Sequence, residues 1–144
     1  IERMPQPYVV IAPSYMIYTA DYSDFIQAHI DSGADISMMY HAVDNAKDAF
    51  LACDTLNINK QKGVLSIEPN RGNAKNRNIF MDTYVMTKEL FLELVNKAHK
   101  TSSMYTLPIS LMKNVKNSTS VPFRTEDISQ RSQTSRATTM LIWL

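Results

Sequence analysis

Residues 8–43 read YVVIAPSYMIYTADYSDFIQAHIDSGADISMMYHAV. Tyr8 to Ala12 is a short, continuous apolar run rich in β-branched side chains, which predicts a strand buried on both faces. Pro13 and Ser14 break it. Asp21 then has the character of a helix N-cap, with Asp24 three residues on as its capping-box partner. Phe25, Ile26, His29 and Ile30 recur at helical spacing, and Gly33 supplies the C-cap. Ile36 to Val43 reads as the next strand. Strand, three-turn helix and strand together make a βαβ crossover, so the fold class is α/β with a mostly parallel sheet.

Working outward, Leu56–Ile58 and Val64–Ile67 alternate on either side of Lys60–Gly63, which predicts a hairpin. Pro69 to Asn78 is polar, carries Gly72 and reads as a loop. Ile79 to Met86 is a strand. Thr87 can cap a following helix whose apolar stripe is Leu90, Phe91, Leu94, Val95 and Ala98. Lys97 and Lys100 suit the negative end of that helix. From Leu107 the character changes: the last 38 residues hold 11 Ser or Thr, no glycine and a charge of five basic minus two acidic. No periodicity persists there, so 1–106 reads as a partial domain and 107–144 as an irregular tail.

Bulk properties narrow the function classes. A chain of 144 residues is enough for one core. Its 44% hydrophobic and 20% charged residues are ordinary for a globular protein, and a net charge of +1 points to neither nucleic acid nor a membrane surface as partner. No apolar run approaches the ~20 residues of a membrane span. Cys53 is the lone cysteine and no secretory signal is visible, so a reducing, cytoplasmic setting is expected. The chain opens on Ile1, which suggests a missing or processed N-terminus. With three glycines and no phosphate-cradling run such as GxGxxG, the nucleotide loop of a complete nucleotide-binding domain is not present.

Ser14 and Tyr15 follow the carboxyl end of the first strand, where open α/β sheets bind ligands, and are candidate substrate-binding residues. Asp82, a carboxylate inside an apolar strand, either faces such a pocket or points to solvent at a sheet edge; Tyr84 lies beside it. Asp21 reads as a cap, His29 as a packed core side chain and Cys53 as a small buried residue. His41 and His99 have no partners at ligand spacing, so no metal site is indicated. The nine methionines read as core filler.

Ile17, Tyr18, Asp21, Tyr22, His29, Gly33, Ala34, Asp35 and Ile36, in that order and spacing, resemble a signature of the glucose-1-phosphate adenylyltransferase (ADP-glucose pyrophosphorylase) family. NIFMDTYVMTKELFLELV at 78–95 is similar to its next strand–helix unit, and the likeness covers roughly residues 6–106. The resemblance implies a partial Rossmann-like nucleotidyltransferase domain without the family's β-helix domain. It implies the reaction of ATP with glucose 1-phosphate to give ADP-glucose and pyrophosphate, which feeds glycogen synthesis. Catalytic members hold Mg²⁺ on an Asp in the turn after the first strand; here Tyr15 stands at that position and Ser14 where Gly is usual. The family's Glu-Lys-Pro segment reads Ile67-Glu68-Pro69-Asn70-Arg71, without the lysine, and its Ser-Met-Gly before a Tyr reads Phe80-Met81-Asp82-Thr83-Tyr84. These departures resemble the GlgD-type regulatory subunit. They imply an inactive fragment with no cofactor of its own, a catalytic subunit as partner in a hetero-oligomer, and a sugar phosphate or nucleotide as a possible ligand. Two other readings stand beside it: a full-length form that retains catalysis, and a truncated product without function.

The tail admits a separate explanation. With codons chosen for Leu107 onward, a slip of one nucleotide re-reads the start as Ala-Asp-Ile-Val-Asp and Thr138–Trp143 as a Tyr-Tyr segment, both family-like. On that reading 107–144 carries no evolved function.

Overall fold

The computed structural model describes residues 3–14, 16–18, 20–100, 120–124, 128–131 and 139–143. Its elements run β1 (Tyr8–Pro13), β2 (Met16–Tyr18), α1 (Tyr22–Ser32), β3 (Ile36–Val43), β4 (Asp54–Ile58), β5 (Val64–Pro69), β6 (Arg77–Thr87), α2 (Lys88–Lys100), β7 (Ser120–Arg124), β8 (Ile128–Arg131) and β9 (Thr139–Trp143).

The ends of α1 form as their residue types dictate. Asp21 is extended at φ −88° and its Oδ1 accepts from the backbone N–H of Ser23 at 2.8 Å. Asp24 stands in the first turn, where its charge suits the helix dipole. Gly33 closes the helix in the left-handed region at φ 63°, donating its N–H to the carbonyl of Ile30. Thr87 caps α2 by accepting from the N–H of Leu90 at 3.3 Å. The hairpin forms between β4 and β5, closed by Asn59, whose N–H and Oδ1 both bond Gly63.

β6 is the centre of the larger sheet. β3 pairs with it along one side, Val43 opposite Arg77 and Ile36 opposite Met86. Its other side is shared: β4 meets its first half at Ile79, and β1 meets its second half from Tyr84 to Thr87. β9 lies outside β1, β5 outside β4 and β7 outside β3. Every described pairing in this sheet is antiparallel except β3–β7. The expectation of a mostly parallel sheet is therefore corrected. β1 and β3 do run the same way, as a crossover demands, but β6 returns between them and pairs antiparallel with both. A small second sheet joins β2 and β8.

The two faces carry separate cores. Val9, Ile11, Ile36, Met38, Phe80, Tyr84 and Met86 pack with Phe91 and Leu94 of α2. Val10, Met39, Met81 and Val85 pack with Phe25 of α1. Alternate side chains of each strand thus enter alternate cores, which is why these strands read as continuous apolar runs. Val9 and Val10 are both fully buried; each such side chain contributes about 1.5–3 kcal/mol. Within 107–144, where no secondary structure is expected, the described residues are the strands β7, β8 and β9.

Candidate functional site

β1 stops at Pro13, while β3 and β6 continue past it to Val43 and back to Arg77. Ile11 lies opposite Tyr84, so the end of β1 at Pro13 and Ser14 falls beside the stretch Asp82–Thr83. The strand register thus gathers Ser14, Asp82 and Tyr84 at one place, the carboxyl end of β1. Tyr15, the fourth candidate, lies outside the described residues.

A wide irregularity shapes this place. Met38 pairs with Tyr84 and Tyr40 with Phe80, so Met39 alone faces Met81, Asp82 and Thr83. Two extra residues on β6 preserve the alternation of faces while bending the strand. Asp82 takes the bend at φ 49°, a left-handed conformation that Asp tolerates better than most residues and Gly adopts freely. Phe80 is fully buried and meets the Tyr84 ring edge-on, centroids 5.1 Å apart. Asp82 is half-buried on β6, a strand inside the larger sheet.

Burial pushes the Tyr84 phenol well above its ordinary value, and the charges of Asp82 and Asp54 push it the same way. The phenol is accordingly neutral at any physiological pH, a donor and acceptor of hydrogen bonds and not an anion. Asp54, at the start of β4, is the group here that sequence reasoning missed, because only the pairing of β4 with β6 brings it near. Two carboxylates make this end of the sheet unwelcoming to an unscreened phosphate. Mg²⁺ takes several hard oxygens, including carboxylate. Among the described residues no three Asp, Glu, His or Cys side chains converge, and the turn after β1 brings the hydroxyl of Ser14.

Behind the strands, hydroxyls tie α1 to the sheet. Tyr18 Oη lies 2.6 Å from Thr83 Oγ1 and 3.1 Å from Tyr22 Oη, and Thr83 also donates to the carbonyl of Met81. Burial raises the Tyr18 phenol far above its ordinary value. His29 is buried, its Nδ1 2.8 Å from Ser37 Oγ and its ring edge-on to Tyr8. Burial lowers its pKa against an opposing pull from Asp35. The core reading of His29, the cap reading of Asp21 and the buried reading of Cys53 thus agree with the structure. His99 lies among the residues whose side chains are not described. Asn70, just after β5, is a buried brace whose amide donates to the carbonyls of Ala46, Ala49 and Phe50.

Two cavities open where β3 ends and β6 begins. One of about 560 Å³ is lined by His41, Asp44, Asn45, Phe50 and Asn76 among others. The other, about 390 Å³, is lined by Arg77, Asn57, Asn76 and Asn78 over Leu56 and Ile58. Neither includes Ser14, Asp82 or Tyr84. No helix of the described residues is long and apolar enough to cross a membrane.

No family model matches the sequence. No curated protein matches it in sequence either. Solved structures do match in shape. HddC from Yersinia pseudotuberculosis superposes with a TM-score of 0.63 at 15% identity over 99% of this chain and 52% of that one. HddC from the same organism complexed with GMP-PN gives 0.60 at 14% identity with the same coverage. The chain therefore spans about half the length of the structures it matches. Identity this low speaks to the fold alone: the chain shares the fold of about half of HddC.

Proposed function

We propose that the chain acts as a regulatory-type module of glucose-1-phosphate adenylyltransferase, modulating a catalytic subunit in the pathway to glycogen without performing the transfer itself. The observation that carries this reading is Phe80. Where the resemblance calls for a serine before the bend, a fully buried phenyl group packs against Tyr84. A hydroxyl there would be able to hydrogen-bond a polar ligand; a phenyl group has nothing to donate. The sequence adds Tyr15 in place of the metal-binding carboxylate and the lost lysine beside Glu68. Electrostatic stabilisation of phosphoryl charge dominates such transfers, so the loss of both groups removes the means of catalysis more than the means of folding. The nucleotidyltransferase-like fold supports the reading at the level of the family's architecture. The partner is then the catalytic subunit, and a sugar phosphate or nucleotide is the ligand class of the family.

Pyrophosphate release from ATP and glucose 1-phosphate tests this, measured with the chain alone, with a catalytic subunit alone and with the two mixed. The expected result is no turnover by the chain alone and altered kcat or KM in the mixture. Turnover by the chain alone, or kinetics of the catalytic subunit left unchanged by the mixture, would overturn the proposal.

A further inference from the structure

Thr83 is fully buried at the irregularity of β6. Its hydroxyl donates to the carbonyl of Met81 at 3.0 Å and so spans Asp82, the residue in the left-handed conformation. That bond closes a small ring around the turn. The ladder of β3 with β6 is interrupted over the same residues, between the pairs Met38–Tyr84 and Tyr40–Phe80. A residue other than Gly in that conformation is strained, and it persists only where its surroundings over-determine it. Something outside the ladder therefore has to hold the turn.

Counting hydrogens gives the neighbouring hydroxyls a direction. Each carries one hydrogen and accepts through its lone pairs. The hydrogen of Thr83 goes to Met81, so at 2.6 Å its Oγ1 accepts from Tyr18 Oη. The hydrogen of Tyr18 is then engaged, so at 3.1 Å its own Oη accepts from Tyr22. Donation runs from Tyr22 to Tyr18 to Thr83 to the Met81 carbonyl, inward to the sheet. The two phenols pack on Val10, Phe25, Met39, Met81 and Val85, an apolar surround in which a hydrogen bond is stronger than in water. Tyr18 belongs to β2 of the small sheet, and Thr83 lies 65 residues further on, so the bond joins the two sheets at the turn. On the other face of β6, Tyr84 packs in the core that α2 covers, and the charge of Asp82 bears on its phenol. We propose that Tyr18 is a positioning residue for this site. By donating to Thr83 it locks the ring between Thr83 and Met81, holds Asp82 in its left-handed turn and so fixes the carboxylate beside the Tyr84 phenol. This stands whether or not the chain regulates a partner.

NMR of the full chain tests it, because the three-bond HN–Hα coupling and the Cα shift of Asp82 report its φ. In the wild type both are expected at left-handed values, with slow solvent exchange of the Tyr18 hydroxyl proton. Tyr18→Phe is expected to move both signals toward extended values and to raise the unfolding equilibrium constant by roughly fivefold, as for one net hydrogen bond. Thr83→Val loses the hydroxyl and is expected to do the same, whereas Thr83→Ser keeps it and retains the wild-type values. Tyr22→Phe removes only the outermost donor and is expected to leave Asp82 unmoved. Asp82→Gly separates positioning from packing: Gly takes the turn unaided, so adding Tyr18→Phe to it is expected to leave position 82 left-handed. Asp82 signals in Tyr18→Phe equal to those of the wild type would overturn the proposal. So would a displacement by Tyr22→Phe as large as that by Tyr18→Phe, or loss of the turn in the double variant. An extended Asp82 or a rapidly exchanging Tyr18 hydroxyl would overturn it in the wild type, with no variant needed.

Discussion

Asp82 holds a left-handed backbone at φ 49° inside a strand that is otherwise extended. A side chain in that region meets the carbonyl beyond it, at a cost of about 1–2 kcal/mol that Gly avoids. Asp82→Ala and Asp82→Gly both remove the carboxylate beside Tyr84, so the difference between them isolates the backbone. Asp82→Gly is expected to be the more stable by about 1 kcal/mol in urea unfolding. Equal stabilities would mean that β6 relaxes out of the bend. The sequence is compatible with this strain, since Asp is among the residue types enriched in the left-handed region. It contains no trace of Asp54, which reaches Tyr84 only because β4 pairs with β6.

At the scale of elements, β1, α1 and β3 were legible because each rests on neighbours within a dozen residues: Asp21 and Gly33 end the helix, and Pro13 ends the strand. The place of β6 was not legible. It depends on pairings such as Val10 with Val85, whose partners are far apart in the chain and carry no mark of each other. How α1 docks is likewise a tertiary fact, resting on His29 against Ser37 and Tyr8. That contact has a pH consequence. Burial depresses the His29 pKa below its ordinary 6.5, with Asp35 opposing. Above 6.5 the ring is neutral in both folded and unfolded chains and the term vanishes. As pH falls below 6.5 the unfolded chain binds a proton that the folded chain does not, so stability drops until the folded pKa is reached and then levels. The slope is at most about 1.4 kcal/mol per pH unit. Unfolding free energies of wild type and His29→Gln between pH 8 and pH 5 measure this; His29→Gln is expected to have the shallower acid-side slope. Parallel curves would place the proton uptake elsewhere.

At the scale of the whole molecule, the outer edge of β1 decides how the chain behaves in solution. A strand with no neighbour there offers unpaired N–H and C=O groups to other chains. In the structure β9 covers it, Val9 opposite Trp143 through Pro13 opposite Thr139. Thr-Met-Leu-Ile-Trp is too short to announce itself as a strand among the Ser and Thr of the last 38 residues, and its partner stands near the opposite terminus. If the pairing is what covers the edge, removing residues 139–144 has two effects that belong together. Losing five paired positions lowers unfolding free energy by on the order of 2–3 kcal/mol, at a net 0.5–1.5 kcal/mol for each hydrogen bond and allowing for the entropy regained by the freed segment. The bared edge then finds another chain, so light scattering of the shortened protein rises with concentration, whereas the intact chain's does not. A charged or Pro-bearing β1 would suppress that association: Val9→Lys loses core packing, but Ala12→Pro, near the strand's end, blocks the ladder at small cost in volume. The shortened chain carrying Ala12→Pro is expected to scatter less than the shortened chain alone. A shortened chain that stays monomeric and keeps its stability would show that β9 contributes little to the sheet.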